Sequence, residues 1–230
     1  MKDILPLEKT LGLGFNNKNL LRQAMVHRSY LNENPSFELD HNERLEFLGD
    51  AVLEMAVTEH LYTNFPNPEG ELTNWRAALV NANNLASVAR TLEIEDYLYL
   101  SRGESKDKNT KARNYILANA MEALIGAIYL DQGYQIVKEF IERHILAKLA
   151  YIIEHKLYLD SKTKFQEATQ EKIGLTPTYR VIRERGPDHN KEFVVGVYIG
   201  DELVAEGLGT SKQEAETAAA EAGLKAKGWE

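Results

Sequence analysis

Residues 41–54 read HNERLEFLGDAVLE. On a helix turning about 100° per residue, Glu43, Glu46 and Asp50 fall within about 60° of one another. Leu45, Leu48 and Val52 take the opposite side, the one expected to pack into a core. Three carboxylates on one stripe repel one another unless something positive sits among them, and a solvated outer face is the ordinary explanation. A second stretch, ILANAMEALIGAIYLD (116–131), is almost wholly apolar, yet it carries Asn119 and Glu122 three residues apart on one face. A carboxylate in such a run is costly unless it is paired or binds a metal. Two arrangements answer that cost. In one, Glu122 pairs with a buried cation such as Arg44 or Arg76 and Asn119 caps a backbone group. In the other, the two helices meet and Glu46, Asp50 and Glu122 form an all-oxygen site with Asn119 as a fourth donor. Such a hard set suits Mg²⁺ or Mn²⁺ rather than Zn²⁺. The chain has no cysteine, and none of its six histidines stands at zinc-ligand spacing from another.

The elements that would carry these groups change character along the chain. Up to about residue 158 the period is helical. NNLASVARTLEI opens with an amide cap, and IVKEFIERHILAKLAYIIEH keeps apolar residues at helical spacing for five turns. From residue 160 the order is α-β-β-β-α. SKTKFQEATQEKIG is a helix with Ser161 as cap and Gly174 as stop. TYRVIRERG, KEFVVGVYIG and ELVAEGLG are strands parted by GPDHN and GD, and SKQEAETAAAEAGLKAKG is a last helix capped by Ser211. The expected domains are 1–157 and 160–229. The 230 residues, 43% hydrophobic, suffice for real cores. No apolar run is long enough to span a membrane, no secretion signal opens the chain, and the missing cysteines suit a cytoplasmic setting. The formal net charge of −8 argues against coating nucleic acid by bulk electrostatics, so any such contact must come from a local surface.

NERLEFLGD (42–50) resembles the signature helix of ribonuclease III, and ILANAMEALIGAIYLD resembles that family's second catalytic helix at the expected separation. The α-β-β-β-α tail is similar to a double-stranded RNA-binding domain. The resemblance thus implies an all-α endonuclease domain followed by a small α+β RNA-binding domain. It also implies a homodimer that cuts the two strands of duplex RNA in RNA processing, leaving 5′ phosphates, 3′ hydroxyls and short 3′ overhangs. Carried over, Glu46, Asp50 and Glu122 hold Mg²⁺, with Mn²⁺ as substitute, and Asp50 and Glu122 stand nearest the chemistry. Glu43 and Glu71 match acids that act around the site or at the dimer contact. One position departs: Asn119 stands where the family usually has Asp. It keeps a carbonyl oxygen but no charge, which should weaken metal binding. The alternative function is a duplex-RNA-binding protein on the same scaffold, rendered inert by Asn119.

In the tail, Thr163, Gln166, Glu167 and Gln170 recur at helical spacing, as donors and acceptors laid along a minor groove would. His189 sits in the GPDHNK turn. Lys212 opens the last helix, whose N-terminus favours phosphate. The cluster of lysines usual there reads SKQEAE, with Gln213 and Glu216 at positions often basic, so binding should be weaker and salt-sensitive. Lys106, Lys108, Lys111 and Arg113 form a further basic run, either a phosphate contact or a solvated loop.

Overall fold

The computed structural model describes residues 2–106, 110–187 and 191–229 and divides into two compact units, Met1–Tyr158 and Leu159–Glu230. The first is helical: α1 (Leu5–Leu11), α2 (Lys18–Ala24), α3 (Arg28–Glu33), α4 (Glu43–Asn64), α5 (Glu69–Val80), α6 (Ala82–Thr91), α7 (Lys111–Gln132), α8 (Tyr134–His144) and α9 (Leu149–Glu154). Among the described residues no helix is long and apolar enough to cross a membrane.

Helix α7 is the axis of this unit. Twelve of its residues are buried, Leu117, Met121, Leu124 and Ile128 fully so. Truncating one such leucine to alanine costs about 2–5 kcal/mol. Helix α4 lies against it, with Leu45 and Val52 in the core and Leu48 partly buried. What lets the two approach so closely is a pair of mid-helix glycines. A Cβ on Gly49 would stand 1.8 Å from the Glu122 carbonyl oxygen, and one on Gly126 would stand 2.3 Å from that of Leu45. The helices therefore touch backbone to backbone.

The expected five-turn helix after residue 134 is interrupted. A 3₁₀ turn at Leu146–Lys148 separates α8 from α9. Ile145 and Leu146 are both buried at the break.

The second unit contains α10 (Ser161–Ile173), β1 (Thr178–Arg185), β2 (Glu192–Ile199), β3 (Glu202–Gly209) and α11 (Lys212–Lys227). The strands form an antiparallel sheet in the order β1-β2-β3. Phe165, Val197, Ile199, Ala219, Ala220 and Leu224 make its core. The cap of α10 is Asp160 rather than Ser161: its carboxylate accepts from the Lys162 and Thr163 amides at 2.9 and 3.0 Å, and Ser161 is already helical. Carboxylate capping is favoured by the helix dipole as well as by the hydrogen bonds. Gly174, with φ +76°, ends α10, and Ser211 caps α11, both as expected.

Candidate active site and nucleic-acid interface

The start of α4 is fixed from below. Asn42 is buried, its side chain donating to the Ala24 carbonyl at 3.1 Å and its backbone N–H to that of Val26 at 2.9 Å. This tether orients the first turns, where Glu43, Glu46 and Asp50 project from one side. The early position of Glu43 and Glu46 is favourable, because the positive end of the helix dipole offsets part of their mutual repulsion.

Across the glycine crossing, α7 presents Asn119 and Glu122. Glu122 is half-buried, and its carboxyl is pushed up to about 7, by burial first and then by the charges of Asp50 and Glu46. Glu46 is also raised, by burial, then by Glu43 and Asp50, against a hydrogen bond from the Asn119 side chain that favours its charged form. Asn119 therefore turns its amide to Glu46 and not to a backbone group. Neither proposed cation reaches Glu122: Arg44 is exposed, and Arg76 donates to Thr58 Oγ1 at 2.9 Å. Among the described residues no ion pair joins Glu122 to either arginine, so the first arrangement, a buried Glu122–arginine pair, is not the one observed.

Glu46, Asp50 and Glu122 feel one another's charge, but they are not a closed cage. Among the described residues no three His, Cys, Asp or Glu side chains converge closely enough to hold a metal ion as they stand. Asn119 supplies an amide oxygen rather than a further acid. The donor chemistry still fits a hard dication: carboxylate and amide oxygens around a half-buried acid whose charge lacks a counterpart.

Glu43 lies 3.6 Å from the Arg28 guanidinium and 3.7 Å from His41 Nδ1, at the edge of the cluster. Glu71, exposed in the first turn of α5, accepts from Asn67 at 2.8 Å, and among the described residues no hydrogen bond or ion pair joins it to the cluster. Arg113 is not a phosphate contact. It is 2% exposed, pairs with Glu95 at 3.5 Å and donates to the Glu104 carbonyl at 2.6 Å, so it fastens the approach to α7. Lys106 and Lys111 are exposed, and Lys108 lies outside the described residues.

The residues missed by sequence reading are Gly49 and Gly126. Their signal was there: glycine inside a helix costs about 1 kcal/mol against alanine, so two in long helices call for a packing reason.

In the second unit, Gln166 and Glu167 are exposed on α10, Thr163 Oγ1 donates to Asp160 at 2.8 Å, and Gln170 donates to Thr176 Oγ1 at 3.3 Å. Lys212 lies 3.5 Å from Glu184 and over the Phe193 ring at 5.8 Å. His189 lies outside the described residues.

Comparison with known proteins accords with this geometry. Residues 17–149 match the family model described as Ribonuclease-III-like, and residues 161–227 match the double-stranded RNA binding motif. Ribonuclease 3 of Dehalococcoides mccartyi strain 195 is 44% identical over 227 residues, 98% of this chain and 95% of that protein. Ribonuclease 3 of Oceanobacillus iheyensis is 45% identical over 96% of this chain and 97% of its own. The nuclease domain of ribonuclease III from Campylobacter jejuni, solved in work on flexibility in a region involved in its dimer formation, has a TM-score of 0.57 and 40% identity. That similarity covers 63% of this chain and 97% of that one.

Proposed function

The chain belongs to the ribonuclease III family of endoribonucleases, and from that premise we propose that it hydrolyses double-stranded RNA with a divalent cation, Mg²⁺ or in its place Mn²⁺. The products are 5′-phosphate and 3′-hydroxyl ends with short 3′ overhangs, formed during RNA processing in the cytoplasm. The observation that carries this reading is the crossing of α4 and α7 at Gly49 and Gly126. It leaves the half-buried Glu122 under the charges of Asp50 and Glu46, and among the described residues no ion pair offsets it.

Glu46, Asp50, Asn119 and Glu122 are the groups that would hold the ion. When bound, a divalent cation activates water near neutral pH and offsets charge on the reacting phosphate. The chain's own contributions follow from position. Glu122 holds a proton near neutrality while its neighbours are uncompensated, and releases it as positive charge enters. Asp50, the more exposed acid, faces incoming substrate beside it. Asn119 steadies Glu46 through its amide. Glu43, held by Arg28 and His41, shapes the rim, and Glu71 acts apart from the reacting centre.

Two further features support a homodimer acting on duplex RNA. Phe47, Met55 and Tyr62 are 82%, 53% and 81% exposed and share one face of α4, beside the acidic stripe. Such large apolar groups exposed in a row on a rigid helix suit a second copy of the chain. In the second unit, Thr163, Gln166, Glu167 and Gln170 on α10, with Lys212 on α11 and His189, are the groups assigned to RNA.

The test uses an end-labelled RNA duplex longer than the ~16 base pairs one such domain spans, incubated with Mg²⁺, Mn²⁺ or EDTA. Cleavage in either metal, absent in EDTA, with 5′-phosphorylated products is expected. Binding without cleavage in both metals would replace this reading with the inert RNA-binding protein.

A further inference from the structure

The RNA-facing side of the second unit contains a neutralised lysine. Lys162, in the first turn of α10, places its Nζ 2.6 Å from Glu216 Oε2 of α11. The ammonium also lies 5.1 Å from the centre of the Tyr179 ring. Both partners are only partly exposed, at 36% and 29% of their side-chain surface, so this pair is better shielded than the Lys212–Glu184 pair. The latter is longer at 3.5 Å and more open. Around Lys162 is a cleft of about 430 Å³ lined by Thr163 and Gln166 of α10, Tyr179 of β1, and Gln213 and Thr217 of α11. Lys162 thus stands between the α10 side chains assigned to the minor groove and the N-terminus of α11, where backbone phosphates would run.

We propose that Glu216 is an internal competitor of RNA phosphate: it holds Lys162 in an intradomain ion pair and so sets a ceiling on the affinity of this unit for duplex RNA. The inference rests on the reading of this unit as an RNA-binding one. A lysine that reaches phosphate normally adds to affinity by displacing counterions from the RNA. Here the ammonium arrives already paired, so a phosphate must displace the carboxylate, or the three charges must share a site with little net neutralisation. Asp160 deepens the effect, since its carboxylate is committed to capping α10 beside Lys162. The surface is therefore tuned to bind weakly and release readily.

The test measures binding of the full chain to a fluorescent RNA duplex in EDTA, where cleavage is suppressed, over a series of salt concentrations. Four variants are compared with the parent: Glu216→Gln, Lys162→Met, the double variant, and Glu221→Gln. Glu221 lies on the same helix and pairs with Lys225 at 3.0 Å, both well exposed, so its change removes one charge without freeing Lys162. Glu216→Gln is expected to tighten binding roughly two- to fivefold, the range an exposed ion pair is worth. It should also steepen the slope of log affinity against log salt by about one. Lys162→Met alone should weaken binding by a similar factor, because it leaves the Glu216 carboxylate unopposed on the phosphate path; the double variant should return to the parent, and Glu221→Gln should match the parent. A gain from Glu216→Gln that persists in the double variant, or that Glu221→Gln reproduces, overturns the inference in favour of bulk charge. No gain, in a parent that binds duplex RNA, overturns it while leaving the RNA-binding reading intact. A parent that does not bind duplex RNA would instead refute that reading, and with it the premise. Thermal melts of each variant distinguish lost binding from lost folding.

Discussion

Gly49→Ala is the sharpest structural perturbation of the site, because it changes no charge and removes no functional atom. The added Cβ would lie 1.8 Å from the Glu122 carbonyl oxygen, 2.6 Å from its carbon and 2.9 Å from the Gly126 nitrogen. Ordinary contact begins at about 3.4 Å, so α4 and α7 must separate locally by about 1.6 Å. All three obstructing atoms are backbone atoms of a buried helix, and none can rotate aside. Overpacking of this sort costs about 1–3 kcal/mol. For a unit of this size each kcal/mol lowers Tm by about 2–4 °C, so a fall of roughly 2–12 °C is expected. The same displacement carries Glu122 away from Asp50. A misplacement near 1 Å in a reacting constellation can cost about 100-fold, so the single-turnover cleavage rate should fall at least that far below the unfolding temperature. Gly70→Ala is the control, since nothing lies within 4 Å of its Cβ and alanine is the better helix former. It should melt no lower than the parent and cleave normally. A Gly49→Ala protein with the parent's Tm and rate would refute the claim that backbone contact between these helices builds the site.

Three further outcomes follow from the same geometry. Glu122 has its pKa raised from 4.5 to about 7 on folding. Its contribution to stability is therefore fully present below about pH 4.5 and lost as pH rises through about 7, on the order of 1 kcal/mol after allowance for its partial exposure. Melts in EDTA should show Glu122→Gln gaining on the parent between pH 5 and 8, and parallel curves would contradict the cluster electrostatics. Asn119→Asp should tighten Mn²⁺ binding about tenfold by calorimetry, one added charge at about 1.4 kcal/mol. It should also lower Tm in EDTA, because Glu46 loses an amide donor and gains a negative neighbour; unchanged metal affinity would remove Asn119 from the site. Phe47→Asp should weaken self-association at least tenfold in sedimentation analysis while leaving the helical content intact, and an unaltered dimer would place the contact elsewhere.

Helices α4 and α7 were legible in the sequence because their period was strong and their polar residues were out of place. Glu122 was conspicuous in an apolar run, and the acidic stripe preceding it lay at plain helical spacing. The strand segments were legible too, since turn residues bounded β-branched runs. What sequence did not reveal was distance. The role of Gly49 and Gly126 depends on two segments more than seventy residues apart coming into contact: a mid-helix glycine asks for a packing reason, but only the fold supplies the partner. Arg113 read as one of four basic residues before α7, yet it is buried, and only the fold brings Glu95 and the Glu104 carbonyl to it. Ser161 read as the cap of α10 because serine caps well, but Asp160, one residue earlier, does it with a charged acceptor. The pairing of Lys162 with Glu216 likewise exists only once α10 and α11 lie side by side.

The central claim is that Glu122, held against Asp50 and Glu46, is the acid on which cleavage turns. Its most direct measurement compares parent and Glu122→Gln for single-turnover cleavage of one duplex in Mn²⁺, with binding of that duplex measured in the same samples. Equal binding and a rate reduced at least 1000-fold are expected, about 4 kcal/mol of lost transition-state stabilisation. Equal binding with a rate within tenfold of the parent would contradict that claim.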